Sequence, residues 1–220
     1  MLRAEALHHS FGSVRALDGV SFSVRPGQTL AIFGPNGAGK TTLLKVLAGL
    51  IRPQRGRAEV EGGRRAIGWI GHHAQLYNQL TVKENLRFWA SLYDVESSTP
   101  GELLARLGLE EHADRPVRAL SRGLVQRVAI ARALVHNPAV LLLDEPFTGL
   151  DRTAAETLGR LLAHHAAAGR ATVLVTHNVE EGTGLATDVA FMRAGRFVHF
   201  APRAGRGPQQ VGEEYRNAIA

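Results

Sequence analysis

Thr29-Leu30-Ala31-Ile32-Phe33 runs directly into Gly34-Pro35-Asn36-Gly37-Ala38-Gly39-Lys40-Thr41-Thr42, and together they set the kind of domain this chain forms. The five apolar residues read as a buried strand. Beyond the loop, Leu43-Leu44-Lys45-Val46-Leu47-Ala48 reads as the first turns of a helix. Strand, glycine-rich loop and Gly-Lys-Thr at a helix start is the arrangement that cradles phosphate. Gly34, Gly37 and Gly39 let the backbone curl with its N–H groups inward, and Asn36 and Thr42 belong to the same cradle. Lys40 is placed to reach β- and γ-phosphates, and the Thr41 hydroxyl to ligate Mg²⁺. A merely connecting glycine turn does not require Lys-Thr directly after it. The expectation is a nucleoside triphosphate site.

A chain of 220 residues suffices for one α/β domain with a large core and a small inserted lobe. No run approaches the roughly 18 apolar residues of a membrane-spanning helix. Met1 to His9 carries an acid and no long apolar core, unlike a signal peptide, so the expected location is the cytoplasm. With no cysteine, disulfides and thiolate metal sites are excluded. The net charge of +6 is spread among interspersed acids and bases, and the basic clusters (Arg52 to Arg65, Arg203 to Arg206) are short. A nucleic-acid partner is therefore not expected; such a surface also suits anionic lipid headgroups.

Along the chain, Leu2 to His9 alternates as a strand, Val20 to Val24 reads as a second, and Pro26-Gly27 turns into the loop strand. Ala58 to Glu61 and Ala66 to Ile70 follow as strands separated by Gly62-Gly63. From Thr81 to about Val135 the period becomes helical, with segments Val82 to Leu92, Gly101 to Leu107 and Ser121 to Val135. This reads as a helical lobe, about residues 80–135, inserted into one domain spanning 1–220. Strand and helix alternate again from Val140 to Leu143, Thr153 to Ala168, Thr172 to Thr176 and Val189 to Met192, which implies a mainly parallel sheet. Residues 203–220 read as a loose tail or one short helix.

Val140-Leu141-Leu142-Leu143-Asp144-Glu145 is a buried strand ending in two acids, which a parallel sheet delivers to the edge where the phosphate loop lies. Asp144 would hold Mg²⁺ through water and Glu145 would act as general base on the attacking water. In Leu120-Ser121-Arg122-Gly123-Leu124-Val125-Gln126-Arg127, Ser121 can cap a helix whose free N–H groups, with the Gly123 backbone, make a second anion site. Two anion sites in one chain suggest that two chains share each nucleotide.

With these residues the sequence resembles the ATP-binding subunit of an ABC transporter over nearly its whole length. The phosphate loop, Leu-Ser-x-Gly followed by Gln-Arg, Leu-Leu-Leu-Asp-Glu-Pro, Thr148-Gly149-Leu150-Asp151 and Val175-Thr176-His177 stand in the family's order. The resemblance implies an α/β P-loop NTPase fold of ABC type, with a mainly parallel core, an N-terminal antiparallel β part and the helical lobe. It implies an ATPase in which two copies sandwich two ATP molecules head-to-tail, each between the phosphate loop of one copy and Ser121 and Gly123 of the other. In that arrangement His177 bonds the γ-phosphate, Asp151 links the two sites and Phe11 stacks on adenine. The partners implied are an integral membrane permease and a second copy of the chain, at the cytoplasmic face of the inner membrane. Residues 75–86 are the expected contact with the permease.

Three positions depart from the family's pattern: Arg122 and Leu124 replace Gly and Gln, and His72 stands where Gln usually contacts Mg²⁺ and water. The Gly71-His72 pair and Asp144-Glu145-Pro146-Phe147-Thr148 look most like the haem exporter ATPase of cytochrome c biogenesis. A multidrug- or antibiotic-class exporter ATPase is the alternative, and a soluble ABC ATPase acting on nucleic acid or the ribosome a more distant one. The pairs His8-His9, His72-His73 and His164-His165 are not expected to bind haem or metal. Adjacent histidines diverge on a strand or helix, and the i, i+4 spacing of a helical zinc pair is absent.

Overall fold

A computed structural model describes residues 1–71, 74–96 and 99–219. In chain order the elements are β1 (Leu2–Phe11), β2 (Val14–Val24), β3 (Thr29–Phe33), α1 (Lys40–Leu47), β4 (Arg55–Val60) and β5 (Ile67–Ile70). Then come α2 (Val82–Leu92), α3 (Thr99–Arg106), α4 (Arg122–Leu134), β6 (Val140–Asp144), α5 (Arg152–Ala167) and β7 (Ala171–Val175). The chain closes with α6 (Val179–Leu185), β8 (Asp188–Arg193), β9 (Arg196–Pro202) and α7 (Pro208–Ile219).

Two sheets result. A small antiparallel sheet runs β2-β1-β4, and a six-stranded sheet runs β5-β6-β7-β3-β8-β9, parallel except where β9 returns against β8. The antiparallel N-terminal sheet, the mainly parallel core and the helical insert are those that the resemblance led us to expect. Strands β3, β6 and β7 are buried at every residue, as central strands covered on both faces must be. Their side chains alternate between two cores. Leu30, Ile32, Val140 and Leu142 face Leu43 and Leu44 of α1 and the small sheet behind it, including Leu2 and Leu7. Leu141, Leu143 and Leu174 face Leu86, Val128, Leu158 and Leu162 from α2, α4 and α5. Helix α1 is thus held between the sheets, which fixes the loop at its start.

In the helical lobe, α2 begins on a reciprocal cap. Glu84 N–H donates to Thr81 Oγ1 (3.1 Å), and the Glu84 carboxylate accepts from Thr81 N–H (2.8 Å). Asn85 is fully buried; its amide donates to the carbonyls of Tyr77, Leu80 and Thr81 and accepts from Tyr77 N–H, clamping the segment before the helix.

Of the two readings of the last stretch, a loose tail or one short helix, the structure shows the helix. Helix α7 buries Val211 and sets the Tyr215 ring 5.5 Å from Phe191 and 6.3 Å from Phe33, while Glu214 pairs with Arg206 at 2.5 Å. Two apolar residues four apart are enough to dock a helix whose other positions are polar. Helix α6 and strand β9 are also additions to the sequence reading.

Candidate functional site

The phosphate loop is gripped from both sides. A Cβ at Gly39, where φ is 104°, would stand 2.1 Å from the Ala16 carbonyl oxygen of β2, and one at Gly34 would stand 2.4 Å from the Met192 carbonyl oxygen of β8. These glycines are demanded by close approach as well as by turn geometry. The β8–β9 turn completes the grip: Gly195 N–H donates to Ala38 O (2.9 Å), and Gly195 O accepts from Asp18 N–H (2.9 Å).

Lys40 is nearly buried, and its ammonium donates to the carbonyls of Gly34 (2.7 Å) and Pro35 (3.0 Å). Burial pulls its pKa below the usual lysine value, while the negative charges of Glu145 and Asp144 oppose that shift. The two acids end β6, whose Asp144 lies in register with Val175 at the end of β7. Glu145 is held in the left-handed region at φ 52°, unusual for a residue with a side chain, by its N–H bond to Val175 O (2.9 Å). One carboxylate oxygen, Oε2, meets Nδ1 of His177 at 2.9 Å and accepts from the Thr176 hydroxyl at 3.2 Å.

These groups border one cleft of about 690 Å³. Asn36, Gly37, Gly39, Lys40, Thr41 and Thr42 form one wall, and Asp144, Glu145 and His177 another; Val14, Ala16, Leu50 and Trp69 supply apolar surface. Backbone N–H groups at the start of α1 and one ammonium suit phosphate. The Thr41 hydroxyl and the Asp144 carboxylate are hard oxygen donors in the same cleft, a donor set that fits Mg²⁺ completed by phosphate and water. Among the described residues no group of three or more His, Cys, Asp and Glu is arranged to hold a metal alone.

Ser121, Gly123 and Asp151 do not line this cleft. Ser121 caps α4, its hydroxyl accepting from Leu124 N–H at 3.4 Å. A Cβ at Gly123 would come 3.1 Å from Gly149 O, so the start of α4 lies against the loop holding Asp151. Asp151 caps α5, accepting from Ala154 N–H (2.8 Å), and pairs with Arg127 at 2.8 Å. This second cluster therefore stands apart from the Lys40 cleft within one chain. Phe11 is 53% exposed at the end of β1, edge-on to His9 at 4.7 Å and outside the cleft lining; Val14, its partner across the hairpin, lies on the rim instead. His72 and His73 lie outside the described residues. Elsewhere, His8 Nδ1 meets Ala6 O at 2.8 Å and buried His165 meets Ala171 O at 3.3 Å. Thr176 and Arg127 stand inside quoted motifs, but their contacts with Glu145 and Asp151, like the place of Trp69 on the cleft, depend on which strand ends and helix starts become neighbours.

Comparison with known proteins agrees with this geometry. The family profile described as ABC transporter matches residues 17–148. Over 217 residues the chain is 43% identical to the cobalt import ATP-binding protein CbiO of Rhodobacter capsulatus, spanning 90% of this chain and 77% of that protein. Over 212 residues it is 37% identical to the Nod factor export ATP-binding protein I of Ralstonia nicotianae, spanning 90% of this chain and 66% of that one. Among solved structures, an ATP-binding subunit of an ABC transporter superposes with a TM-score of 0.92 at 28% identity, covering 100% of both chains. A dimeric ATP-binding cassette in a post-hydrolysis state, bound to ADP and phosphate, superposes with a TM-score of 0.84 at 26% identity, covering 92% of this chain and 98% of that one.

Proposed function

We propose, from the fact that the chain belongs to the ABC transporter family, that it is the ATP-hydrolysing subunit that drives a membrane-embedded permease from the cytoplasmic face. The observation that carries this is the convergence of Lys40, Thr41, Asp144, Glu145 and His177 on one cleft.

The loop N–H groups and Lys40 bind the phosphates and spread their charge. Bound Mg²⁺, held by Thr41 directly and by Asp144 through water, would supply electrophilic activation of the phosphoryl group. Glu145, with Oε2 anchored by Thr176 and His177, is oriented to take a proton from a water attacking the γ-phosphate. The His177 side chain is 74% exposed, so it has room to turn from Glu145 toward the γ-phosphate. Because Ser121, Gly123 and Asp151 stand apart from the Lys40 cleft, a second copy supplies them, and two ATP molecules are sandwiched between two chains. The solved dimeric cassette supports that arrangement. Phe11 and His72 are assigned as the adenine platform and the residue beside the reacting water.

Among the described residues no helix is long and apolar enough to cross a membrane, which fits a peripheral subunit. The finer reading, haem export in cytochrome c maturation, rests on Gly71-His72 and on 144–148; the relatives above are named for cobalt import and Nod factor export, and support the coarser reading.

The test is ATP turnover and ATP-dependent dimerisation of the purified chain. A chain that binds ATP, dimerises on it and hydrolyses it supports the reading, and one that neither binds nor hydrolyses ATP overturns it. Co-purification with a permease and haem-handling proteins would decide for the cytochrome c reading, and with a permease for another cargo against it.

A further inference from the structure

His177 and the residue before it are held in opposite ways. The His177 side chain is 74% exposed and has room to turn, whereas Thr176 is 1% exposed. Three contacts fix Thr176. Its N–H donates to Ile32 O of β3 (3.4 Å), and its Cγ2 methyl fills the space beside Gly182 of α6, where an added Cβ would come within 2.9 Å. Its hydroxyl oxygen accepts from Asn178 N–H at 3.1 Å. A hydroxyl has one proton to give. With one lone pair engaged by Asn178, that proton is directed to Glu145 Oε2, 3.2 Å away and the one acceptor it meets among the described residues. Asn178 is fixed in its turn. Its Oδ1 caps α6, accepting from Glu180 N–H (3.0 Å) and Glu181 N–H (3.2 Å), so the start of that helix aims the Asn178 N–H at Thr176. The second carboxylate oxygen, Glu145 Oε1, accepts no hydrogen bond among the described residues.

We propose that Thr176 and Asn178 are positioning residues for the hydrolysis: the α6 cap, the Asn178 N–H and the Thr176 hydroxyl form a tether that keeps Glu145 Oε2 in place while His177 leaves it for the γ-phosphate. Oε1 is then the oxygen that acts. It takes a proton from water as the water oxygen bonds to the γ-phosphorus and the bond from that phosphorus to ADP breaks. The tether rests on the function proposed above, in which Glu145 is the base. Once His177 has turned, Thr176 is the remaining partner of the carboxylate among the described residues. A carboxylate held at one oxygen keeps the other over the same water, and a misplacement of about 1 Å costs on the order of 10²-fold in rate. A site group is held to that tolerance only when its supporting side chain has a single locked rotamer, which the three contacts on Thr176 provide.

The test is a double-mutant cycle on the full-length chain, read in steady-state and single-turnover ATP hydrolysis. Thr176→Val keeps the buried shape and removes the donor. It should lower kcat by about 10–100-fold with KM for ATP unchanged within about twofold, and Thr176→Ser, which restores the hydroxyl, should recover most of the loss. Asn178→Ala removes the cap and leaves Thr176 in place; it should lower kcat by about three- to tenfold, while Asn178→Asp, which still caps, should not. In the Glu145→Gln background, Thr176→Val should change the residual turnover by less than about twofold, because the tether acts only through the carboxylate. An equal loss in both backgrounds, a loss that Ser does not recover, or an unchanged kcat in Thr176→Val overturns the proposal. Should Thr176→Val fail to fold, Asn178→Ala decides, and an unchanged kcat there overturns the tether. Full turnover in Glu145→Gln overturns the base and the tether with it, whereas loss in Glu145→Gln beside an unimpaired Thr176→Val overturns the tether alone.

Discussion

His177 Nδ1 and Glu145 Oε2 are 2.9 Å apart, a contact between the ends of two adjacent parallel strands that pins the carboxylate proposed as the base. Thr176, one residue earlier, holds the same oxygen. Glu145→Gln keeps the shape and both neighbours but cannot take a proton. We expect ATP turnover to fall by about 10²–10⁴-fold while ATP binding persists and an ATP-bound dimer accumulates. Steady-state hydrolysis and size-exclusion chromatography with ATP check both halves; unchanged turnover would remove Glu145 from the role of base.

Lys40→Ala should act on affinity. Its ammonium donates to the loop carbonyls and feels the charges of Glu145 and Asp144, so its loss leaves two acids facing the phosphates. Titration with a fluorescent ATP analogue should show affinity weakened by about 10–100-fold, the worth of one charge-assisted contact.

Gly39→Ala is expected to damage the fold before it damages chemistry. The new methyl would sit 2.1 Å from Ala16 O at a φ of 104°, so loop and β2 must separate. A cost of about 2–4 kcal/mol, seen as a melting temperature lower by about 5–15 °C, is the expected outcome. Gly37→Ala meets nothing within 4 Å and pays only for its positive φ, so it should lose less.

His165 makes stability depend on pH. Burial and the nearby Arg170 charge lower its pKa from 6.5 to about 4. The unfolded chain therefore takes up this proton first as pH falls. The contribution is complete above pH 6.5, is lost progressively between 6.5 and about 4, and levels off below, reaching roughly 3 kcal/mol. His165→Gln can still donate to Ala171 O but has no proton to gain. Chemical denaturation at pH 7 and pH 4.5 should give a smaller stability difference for this variant than for the native chain.

Reversal of Glu84 is a poor probe of permease docking, because Glu84 caps α2. Glu84→Lys should destabilise the lobe by about 1 kcal/mol whether or not a partner binds there. Lys83, which caps nothing, is the cleaner position: its reversal should weaken coupling to the permease with the melting temperature unchanged.

What could be read from the sequence follows from how local each signal is. The loop, β3 and β6 are announced by fully apolar strands meeting glycines or acids, and Thr81-x-x-Glu84 marks the start of α2 to the residue. Helix α6 hides behind Gly182 and Gly184. Gly182 is there because a Cβ would meet the Phe33 ring at 2.7 Å, a tertiary demand with no local trace. Helix α7 is half announced, glycine and charge around Val211 and Tyr215 leaving a loose tail and one short helix both open, and β9 is masked by a single-faced alternation that reads as surface. Asn85 carries no local signal of its role as a buried clamp. In the site, the groups on the Lys40 side are legible as motifs. The Arg127–Asp151 pair, the Thr176 anchor and the burial of Arg132 against Trp69 and Trp89 come only with the packing of helices on the sheet.

The contacts at Ala16, Met192 and Gly195 bind the phosphate loop to strands of both sheets at once. The loop is therefore a junction as well as a cradle: a substitution that widens it must part β2 from β8, so the small sheet cannot be repacked without disturbing the phosphate site.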